Sequence, residues 1–517
     1  MRQQTRLIIN VLSNYGSFLI YGIVNFFLVG YLARVLGKDV FGLAMLVLSF
    51  TMITELLGIG VSLALTKYLA ANLVQKNTEK FHRLVNTSLI WFFICSIVGA
   101  IICVFLSLII NRISNIPPEL HGYARNAMLL MAIKVFVCFP FNTFQGILWA
   151  YQRYDLTNLA KSVGIILRAL LLLFWFKTIS ISITGLIWVT IISMLIERLM
   201  WFHSSYLTAE QITIHPKYIS KQVLWLLLSF GGYVLVIQVS NLIGYEAVKW
   251  IVSAEMPVME VGIYSLIATI AMFAGSTVYS LASVLMPAAS NMHAQNQHDK
   301  KIMLAVLSTK YATILAGMFC IVPLFLLEPF LTLWVGKTYP SDVMPRIAIA
   351  AAILLCGQYI ISFTTCLFQM TTGIGKVFFL AMVTLCWSIG GLAVVWGSLH
   401  WFSGTVVTVS IIISIARIVG AVVNLVYGIK VINIPAYSFI KDSLVKPTIV
   451  SGIICVIGYV LTQIMDVYIV PEFLLSCIIL VTLYLIGNWV SVLSSWEKKA
   501  ILSKMLYVFK KSAIKPS

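Results

Sequence analysis

Long apolar runs alternate with short polar connections along the entire chain. Each run reaches or exceeds the roughly 20 residues that a helix needs to cross a bilayer. The runs lack the alternation of outer-membrane strands, so they predict an all-α polytopic membrane protein with about fourteen transmembrane helices. Pro323, Glu328 and Pro329 interrupt the segment 323–336, which predicts either a broken helix end or a short re-entrant piece. The predicted spans are 8–33, 41–65, 85–110, 124–150, 156–177, 181–205, 222–250, 261–288, 302–327, 343–370, 376–397, 401–428, 446–466 and 471–493.

Composition supports this fold class. Of the 517 residues, 61% are hydrophobic and 10% are charged, and the mean hydropathy is +1.00. A soluble protein of this length needs a more polar surface, so soluble enzymes, disordered chains and disulfide scaffolds are excluded. The first apolar run is followed by no small-residue cleavage site, so we expect it to remain as a span.

The distribution of Lys and Arg predicts the orientation. With the N-terminus inside, the inner loops and the tail carry 24 basic residues and the outer loops carry 7. This bias predicts a cytoplasmic (inner) membrane protein with both termini in the cytoplasm. The formal net charge of +18 then reflects inner loops that contact anionic membrane lipid, and it does not imply nucleic acid.

The two halves of the chain resemble each other weakly. Asn25 and Asn241 are 216 positions apart, and Gly42 and Gly262, which open spans 2 and 8, are 220 apart. Six spans per unit would give two lobes in a parallel pseudo-two-fold repeat, with a cavity between them. The predicted division is an N-terminal six-helix lobe (1–221), a C-terminal six-helix lobe (222–432), an extra helix pair (433–493) and a cytoplasmic amphipathic basic tail (494–517).

Ionisable residues at membrane depth are the candidates for function. Charged groups in a span are costly and turn toward a partner or a wet cavity. Guanidinium and ammonium groups in a lumen suit an anionic cargo, since Arg binds two phosphate oxygens at once. The predicted substrate-binding lumen residues are Arg168, Lys134, Lys249, Arg417 and Lys161, and the predicted ion-coupling residues are Glu55 and Glu246. No nucleotide-binding, metal-binding or catalytic motif is present, so we expect no enzyme activity, no cofactor and no metal.

Structural explanations compete with these roles. Glu246 and Lys249 are three residues apart on one helix face and can simply neutralise each other, and Lys249 can also reach the interface. Glu55 can pair with a basic residue on another span. Arg34 suits a loop position that sets topology. The aromatic residues at span ends, such as Trp149, suit the interfacial belt.

Short motifs resemble one family of transporters. Ala33-Arg34-Val35-Leu36-Gly37 followed by Phe41-Gly42 is similar to the opening of polysaccharide and oligosaccharide-lipid flippases (O-antigen flippase-like). These belong to the multidrug, oligosaccharidyl-lipid and polysaccharide exporter (MOP) superfamily. Further similar motifs are Tyr154-Asp155, Tyr264-Ser265, Pro287 and Thr332-Leu333-Trp334-Val335-Gly336.

The resemblance implies a function and a set of partners. It implies a bacterial flippase that moves polyprenyl-pyrophosphate-linked oligosaccharide units from the inner to the outer leaflet by alternating access, for surface polysaccharide biosynthesis. Separately, we expect H+ or Na+ to act as the coupling ion through Glu55 or Glu246, or the membrane potential to act on the cationic lumen, and we expect polymerase or glycosyltransferase partners. The alternatives are a drug/cation antiporter of the same superfamily, a membrane enzyme of glycan synthesis and a non-transporting assembly scaffold.

Overall fold

The computed structural model describes residues 3–75, 77–209, 212–229, 232–499 and 502–503, except for the side chains of 3–8, 11–12, 51–57, 59, 74, 232–235, 241 and 337. These residues form helices, and no strand occurs among them. The helices are α1 (Gln3–Leu36), α2 (Lys38–Gln75), α3 (Thr78–Ile113), α4 (His121–Cys138), α5 (Asn142–Ala150), α6 (Tyr154–Thr178), α7 (Ile183–Thr208), α8 (Lys221–Ser229), α9 (Gly232–Leu242), α10 (Val248–Glu255), α11 (Val258–Ser283), α12 (Leu285–Ala294), α13 (His298–Cys320), α14 (Leu327–Val335), α15 (Met344–Gly373), α16 (Val377–Phe402), α17 (Val406–Ile432), α18 (Ala436–Phe439), α19 (Lys446–Ile464) and α20 (Val470–Ser491).

The all-α polytopic fold predicted from the sequence is confirmed. Among the described residues, 12 helical segments are long and apolar enough to cross a membrane. The two other predicted spans, 41–65 and 222–250, fall in α2 and in α8–α10, which contain residues outside the described set. Most of the helices extend beyond the predicted spans because their polar ends continue past the apolar run.

Several helices are interrupted within a single crossing. Pro140 lies in a 3-10 turn between α4 and α5, because proline removes a backbone donor and clashes with the preceding turn. A turn and a 3-10 segment separate α13 from α14, so the segment 323–336 takes the broken-helix form. Two π-helical turns, Ile243–Ala247 and Ile440–Val445, bring an extra residue into the helical path, a feature that is frequent at functional sites.

One compact unit contains α1–α10 and much of α11, α16 and α17. Within it, α1 packs against α6, α6 against α7, α2 against α5, and α9 against α16. Its apolar core includes Phe81, Phe92, Phe139, Phe144 and Trp201, all nearly inaccessible to solvent. This packing fixes α1, α6 and α7 side by side. The unit comprises Met1–Phe273, Trp334–Ala350 and Val377–Gly420.

The second compact unit contains α12, α13, α19 and α20 and parts of their neighbours. Helix α13 packs against α19, and α19 packs against α20. The core is built around Tyr484, whose hydroxyl donates to the Ile314 carbonyl oxygen at 2.8 Å. The unit comprises Ala274–Leu333, Ala351–Lys376 and Ala421–Ser517. The division at 221, 432 and 493 stays a prediction, and most of the predicted amphipathic tail lies outside the described residues.

Candidate functional site: a cationic cavity in the first unit

Polar side chains on one face of α1 contact α6. The α1 residues lie at positions 14, 17 and 25, a helical spacing that places them on one side. Asn158 donates to the Asn14 side-chain oxygen at 2.5 Å, and the Ser17 hydroxyl donates to the Asn158 carbonyl oxygen at 3.2 Å. Further along the two helices, the Arg168 Nη2 donates to the Asn25 Oδ1 at 3.1 Å. The α1–α6 interface is therefore polar within an apolar bundle.

A cavity of about 600 Å³ opens beside this polar interface. Three basic side chains and one carboxylate line it: Lys161, Arg168, Arg198 and Glu197. The amides and aromatic rings on its wall offer hydrogen bonds and stacking surfaces. These other lining residues include Asn14, Asn142, Gln145, Asn158, Gln238, Phe18, Tyr21, Trp149 and Trp201.

Arg168 makes one hydrogen bond to another described side chain. One guanidinium nitrogen donates to Asn25, but the Arg168 Nε is buried and has no hydrogen-bond acceptor among the described residues. An unpaired buried donor is costly, and the cost rises for a charged group. The Arg168 guanidinium is therefore able to receive an additional acceptor from the cavity.

Arg198 lies on α7 with its guanidinium stacked on an aromatic ring. Its Cζ is 4.0 Å from the Trp201 ring centroid, a cation–π geometry. Its Nη1 is 3.7 Å from the Glu197 Oε1, and its Nε is buried without an acceptor among the described residues. A glycine faces this pair: a Cβ at Gly164 on α6 would lie 2.9 Å from the Glu197 Oε2.

Lys161 and Trp149 form another part of the cavity wall. The Lys161 Nζ is 5.9 Å from the Trp149 ring centroid. Trp149 also stacks on Tyr154, with ring centroids 6.0 Å apart. Trp149, which was expected in the interfacial belt at the end of a span, therefore also faces the cavity.

A second group of charges lies on and near the π-helical turn Ile243–Ala247. The Lys249 Nζ donates to the Glu246 Oε2 at 2.7 Å, and both side chains are largely buried. The Arg417 Cζ lies 4.5 Å from the Tyr245 ring centroid. Each charged group here has a partner within the protein, which supports mutual neutralisation for Glu246 and Lys249.

The structure therefore separates the predicted lumen residues. Arg168 and Lys161 line the cavity, whereas Lys249 and Arg417 belong to the group at the π-helical turn. Lys134 is buried in α4 and lies outside the cavity lining. The side chain of Glu55 lies outside the described residues.

Sequence reasoning missed two charged residues of the cavity. Arg198 was counted among the inner-loop basic residues, and Glu197 was not singled out. Both lie seven to eight residues before the predicted end of span 181–205, which is a signal of burial. Adjacent opposite charges inside an apolar run can be recognised as candidates for a wet cavity.

Two of the resembling motifs meet in the structure. The Arg34 Nε donates to the Trp334 carbonyl oxygen at 2.8 Å. The Trp334 ring stacks on Phe26 with centroids 4.6 Å apart. Gly42 allows the start of α2 to approach the Val258 backbone so closely that a Cβ has no room. Arg34, expected as a loop residue that sets topology, thus joins the segment 33–42 to the segment 332–336.

Comparisons with known proteins give a family match in the N-terminal part of the chain and a bacterial relative. Residues 13–174 match the MatE family model, and this segment contains Arg168 and Lys161. A Shigella flexneri protein with the provisional name O-antigen transporter is 23% identical over 267 residues. That alignment covers 51% of this chain and 62% of the relative, which is less than two thirds of its length.

Solved structures share the fold. A multidrug resistance MATE family transporter of the MOP superfamily, in an inward-facing conformation, has a TM-score of 0.72 at 16% identity, covering 84% of this chain and 99% of that chain. The lipid II flippase MurJ, in an inward closed conformation, has a TM-score of 0.71 at 15% identity, covering 93% and 98%. The predicted resemblance to the MOP superfamily is confirmed, and the proteins that the chain resembles are membrane transporters and flippases rather than enzymes.

Proposed function

Since the chain has the fold of the MOP-superfamily transporters and a MatE domain at residues 13–174, we propose that it is a flippase for polyprenyl-pyrophosphate-linked oligosaccharides. One observation carries the proposal. Among the described residues, three basic side chains and one carboxylate line the cavity, and two of the guanidinium groups have buried Nε atoms without an acceptor there.

The chemistry of the cavity suits an anionic head group. Arg binds phosphate oxygens in a bidentate manner, and charge-assisted hydrogen bonds are stronger than neutral ones. A volume of about 600 Å³ falls within the range of about 300–1,000 Å³ usual for small-molecule sites. The pyrophosphate would contact Arg168 and Arg198, and the first sugar would contact the amides and Trp149.

The cavity also lowers the main barrier to flipping. A glycan and a pyrophosphate that enter hydrocarbon lose their hydrogen bonds to water, at a cost of several kcal/mol per group. A polar, charged cavity replaces many of those bonds, while the polyprenyl chain stays in lipid. The cargo would move from the inner to the outer leaflet as two six-helix lobes alternate between inward and outward openings.

The proposed location is the cytoplasmic membrane, with both termini in the cytoplasm. The supporting observation is the excess of Lys and Arg on the side of the N-terminus, 24 against 7. Phosphatase and fluorescent-protein fusions at each terminus test the orientation. Fluorescence without phosphatase activity at both ends is the expected result.

We propose an ion gradient or the membrane potential as the energy source for flipping. H+ or Na+ would act through Glu55 or Glu246, although the 2.7 Å pairing of Glu246 with Lys249 favours a structural role for that carboxylate. The membrane potential is a further source, because it acts directly on a cationic cavity. Polymerase or glycosyltransferase partners belong to the same proposal.

A drug/cation antiporter is the second candidate. The observation that favours it is the Glu197 carboxylate in the cavity, together with the similarity to MATE transporters. An antiporter would take up cations there, and loss of the gene would make cells sensitive to cationic drugs.

The leaflet distribution of lipid-linked sugars tests the proposal in cells that lack the gene. The expected result is a build-up of complete oligosaccharide-lipid that a membrane-impermeant label cannot reach, with loss of surface polymer. Normal labelling at the outer face combined with drug sensitivity would contradict the flippase and favour the antiporter.

A further inference from the structure

Glu197 is the acidic member of the described cavity lining. Its carboxylate faces Arg198, with 3.7 Å between Oε1 and Nη1, and it also interacts electrostatically with Arg168. Gly164 leaves the space on α6 that the Glu197 carboxylate occupies. The side chain therefore lies next to the Arg198 guanidinium, in the cavity that Arg168 also lines.

The pairing of Glu197 with these groups is incomplete. A separation of 3.7 Å exceeds a good N–H···O hydrogen bond, which is about 2.7–3.2 Å long. Glu197 thus offsets part of the positive charge without satisfying the buried donors. A ligand with several anionic oxygens is able to make those bonds, whereas a single carboxylate at this distance does not.

We propose that Glu197 is a specificity-determining residue that acts as an internal counter-ion. Before the cargo binds, the Glu197 carboxylate lies where the cargo anion would contact the guanidinium groups. A pyrophosphate must displace this carboxylate when it binds. Displacement costs the interaction of Glu197 with Arg168 and Arg198. A ligand with one or two weakly charged oxygens makes too few hydrogen bonds to offset that cost, so small cellular anions bind weakly. The inference rests on the proposed function for the identity of the cargo head group.

The test is direct binding to the purified full-length protein in lipid nanodiscs, with farnesyl pyrophosphate and inorganic phosphate as probes. Glu197→Gln keeps the shape of the side chain and removes its charge. We expect this variant to bind farnesyl pyrophosphate about tenfold more tightly and to bind inorganic phosphate measurably, because removing a nearby charge shifts affinity by this order. Glu79→Gln, which removes an exposed carboxylate on α3, is the matched control and should bind like the wild type.

A second variant tests the same contact without changing charge. Gly164→Ala places a methyl group against the Glu197 carboxylate and moves it away from α6. We expect a smaller gain in farnesyl pyrophosphate affinity, about two- to threefold, and this variant supplies the test if Glu197→Gln fails to fold.

The outcomes separate this inference from the proposed function. Unchanged or weaker pyrophosphate binding in both cavity variants, with wild-type binding abolished by Arg168→Ala, would overturn the counter-ion role and leave the flippase proposal intact. Wild-type protein that binds a hydrophobic cation such as ethidium but no farnesyl pyrophosphate would overturn both.

Discussion

Two groups of buried charges in the same unit differ in how their charges are satisfied. At the π-helical turn, Lys249 donates to Glu246 at 2.7 Å, and Arg417 covers the Tyr245 ring. In the cavity, Arg168 makes a single 3.1 Å hydrogen bond with Asn25 and leaves its Nε without an acceptor among the described residues. Both groups lie on helices predicted to span the membrane, so a position within a span does not distinguish them. We expect incomplete pairing next to a cavity to mark the ligand-binding charges.

Replacing Arg168 should give the largest effect. Arg168→Ala is expected to reduce flipping at least about tenfold, since a hydrogen bond to a charged group contributes about 1.5–3 kcal/mol. Arg168→Lys should restore part of the activity, because it keeps the charge and loses the planar donor set. Transport by reconstituted protein, normalised to folded protein, is the measurement. Equal activity of Arg168→Ala and the wild type would remove Arg168 from the site.

The paired group should respond mainly in stability. Glu246→Gln or Lys249→Met alone leaves an unpaired buried charge, which costs about 3–5 kcal/mol, whereas the double variant removes both charges and should recover most of that loss. Thermal unfolding of the single and double variants forms the double-mutant cycle. A stable double variant that has lost transport would show that Glu246 takes part in ion coupling. The charges at the π-helical turn would then be functional and not merely structural.

The second unit contains a buried ion pair between Lys310 and Glu497, and further donors contact the Glu497 carboxylate. Glu497 accepts from the Lys310 Nζ at 2.8 Å, from the Tyr311 hydroxyl at 3.0 Å and from the Ser494 hydroxyl at 2.6 Å. The Ser494 backbone N–H also donates to the Glu497 carboxylate at 2.8 Å, as the glutamate of a capping box accepts from the N-cap backbone. Burial alone would raise the pKa of the Glu497 carboxyl, but these hydrogen bonds outweigh it and lower the pKa from 4.5 to about 2.

This lowered pKa predicts the pH dependence of stability. A carboxyl whose pKa is lower in the folded state stabilises the fold above its unfolded pKa of 4.5, and this contribution is lost as the pH falls toward about 2. Unfolding temperatures measured between pH 6 and pH 3 should therefore fall more steeply for the wild type than for Glu497→Gln. Parallel curves would show that Glu497 does not contribute to the acid sensitivity.

Lys161 should give the smallest effect. Its side chain is half-buried, its ammonium lies 5.9 Å from the Trp149 ring, and it lacks the planar donor set that Arg168 offers to phosphate oxygens. Exposed and half-exposed pairs contribute about 0.2–1 kcal/mol, so Lys161→Gln should reduce transport about two- to fivefold. Loss as large as that of Arg168→Ala would mean that the positive charge of the whole cavity, rather than the Arg168 guanidinium, controls binding.

Much of the fold follows from the sequence, and part of the site does. Apolar length identifies the spanning helices because backbone groups in a membrane must bond within their own segment. Residue type and depth selected Arg168 and Lys161, which both line the cavity, and their role in substrate binding stays a prediction. The same reasoning grouped Lys249 and Arg417 with them, because a single sequence does not show which helices pack together. Glu197 and Arg198 were missed because Arg198 was counted with the inner-loop charges, although both residues lie seven to eight residues inside the predicted span.

The motif segments show a similar limit. The sequence places Arg34 in a short loop between two spans, with nothing to indicate a partner 300 positions away. Arg34 donates to the Trp334 carbonyl oxygen, and two residues later Gly336, with a φ of 62°, lies beside the Arg34 side chain. Such a conformation is strained for other residues, so glycine suits this position.

We propose above all that the Arg168 cavity carries an anionic lipid-linked head group. The most direct measurement is flipping of a polyprenyl-pyrophosphate-linked oligosaccharide in proteoliposomes, followed as the fraction that an impermeant label reaches over time. We expect rapid flipping by the wild type and by Arg417→Ala per folded molecule, and little flipping by Arg168→Ala. Equal flipping by Arg168→Ala and the wild type, or no flipping by the wild type, would contradict it.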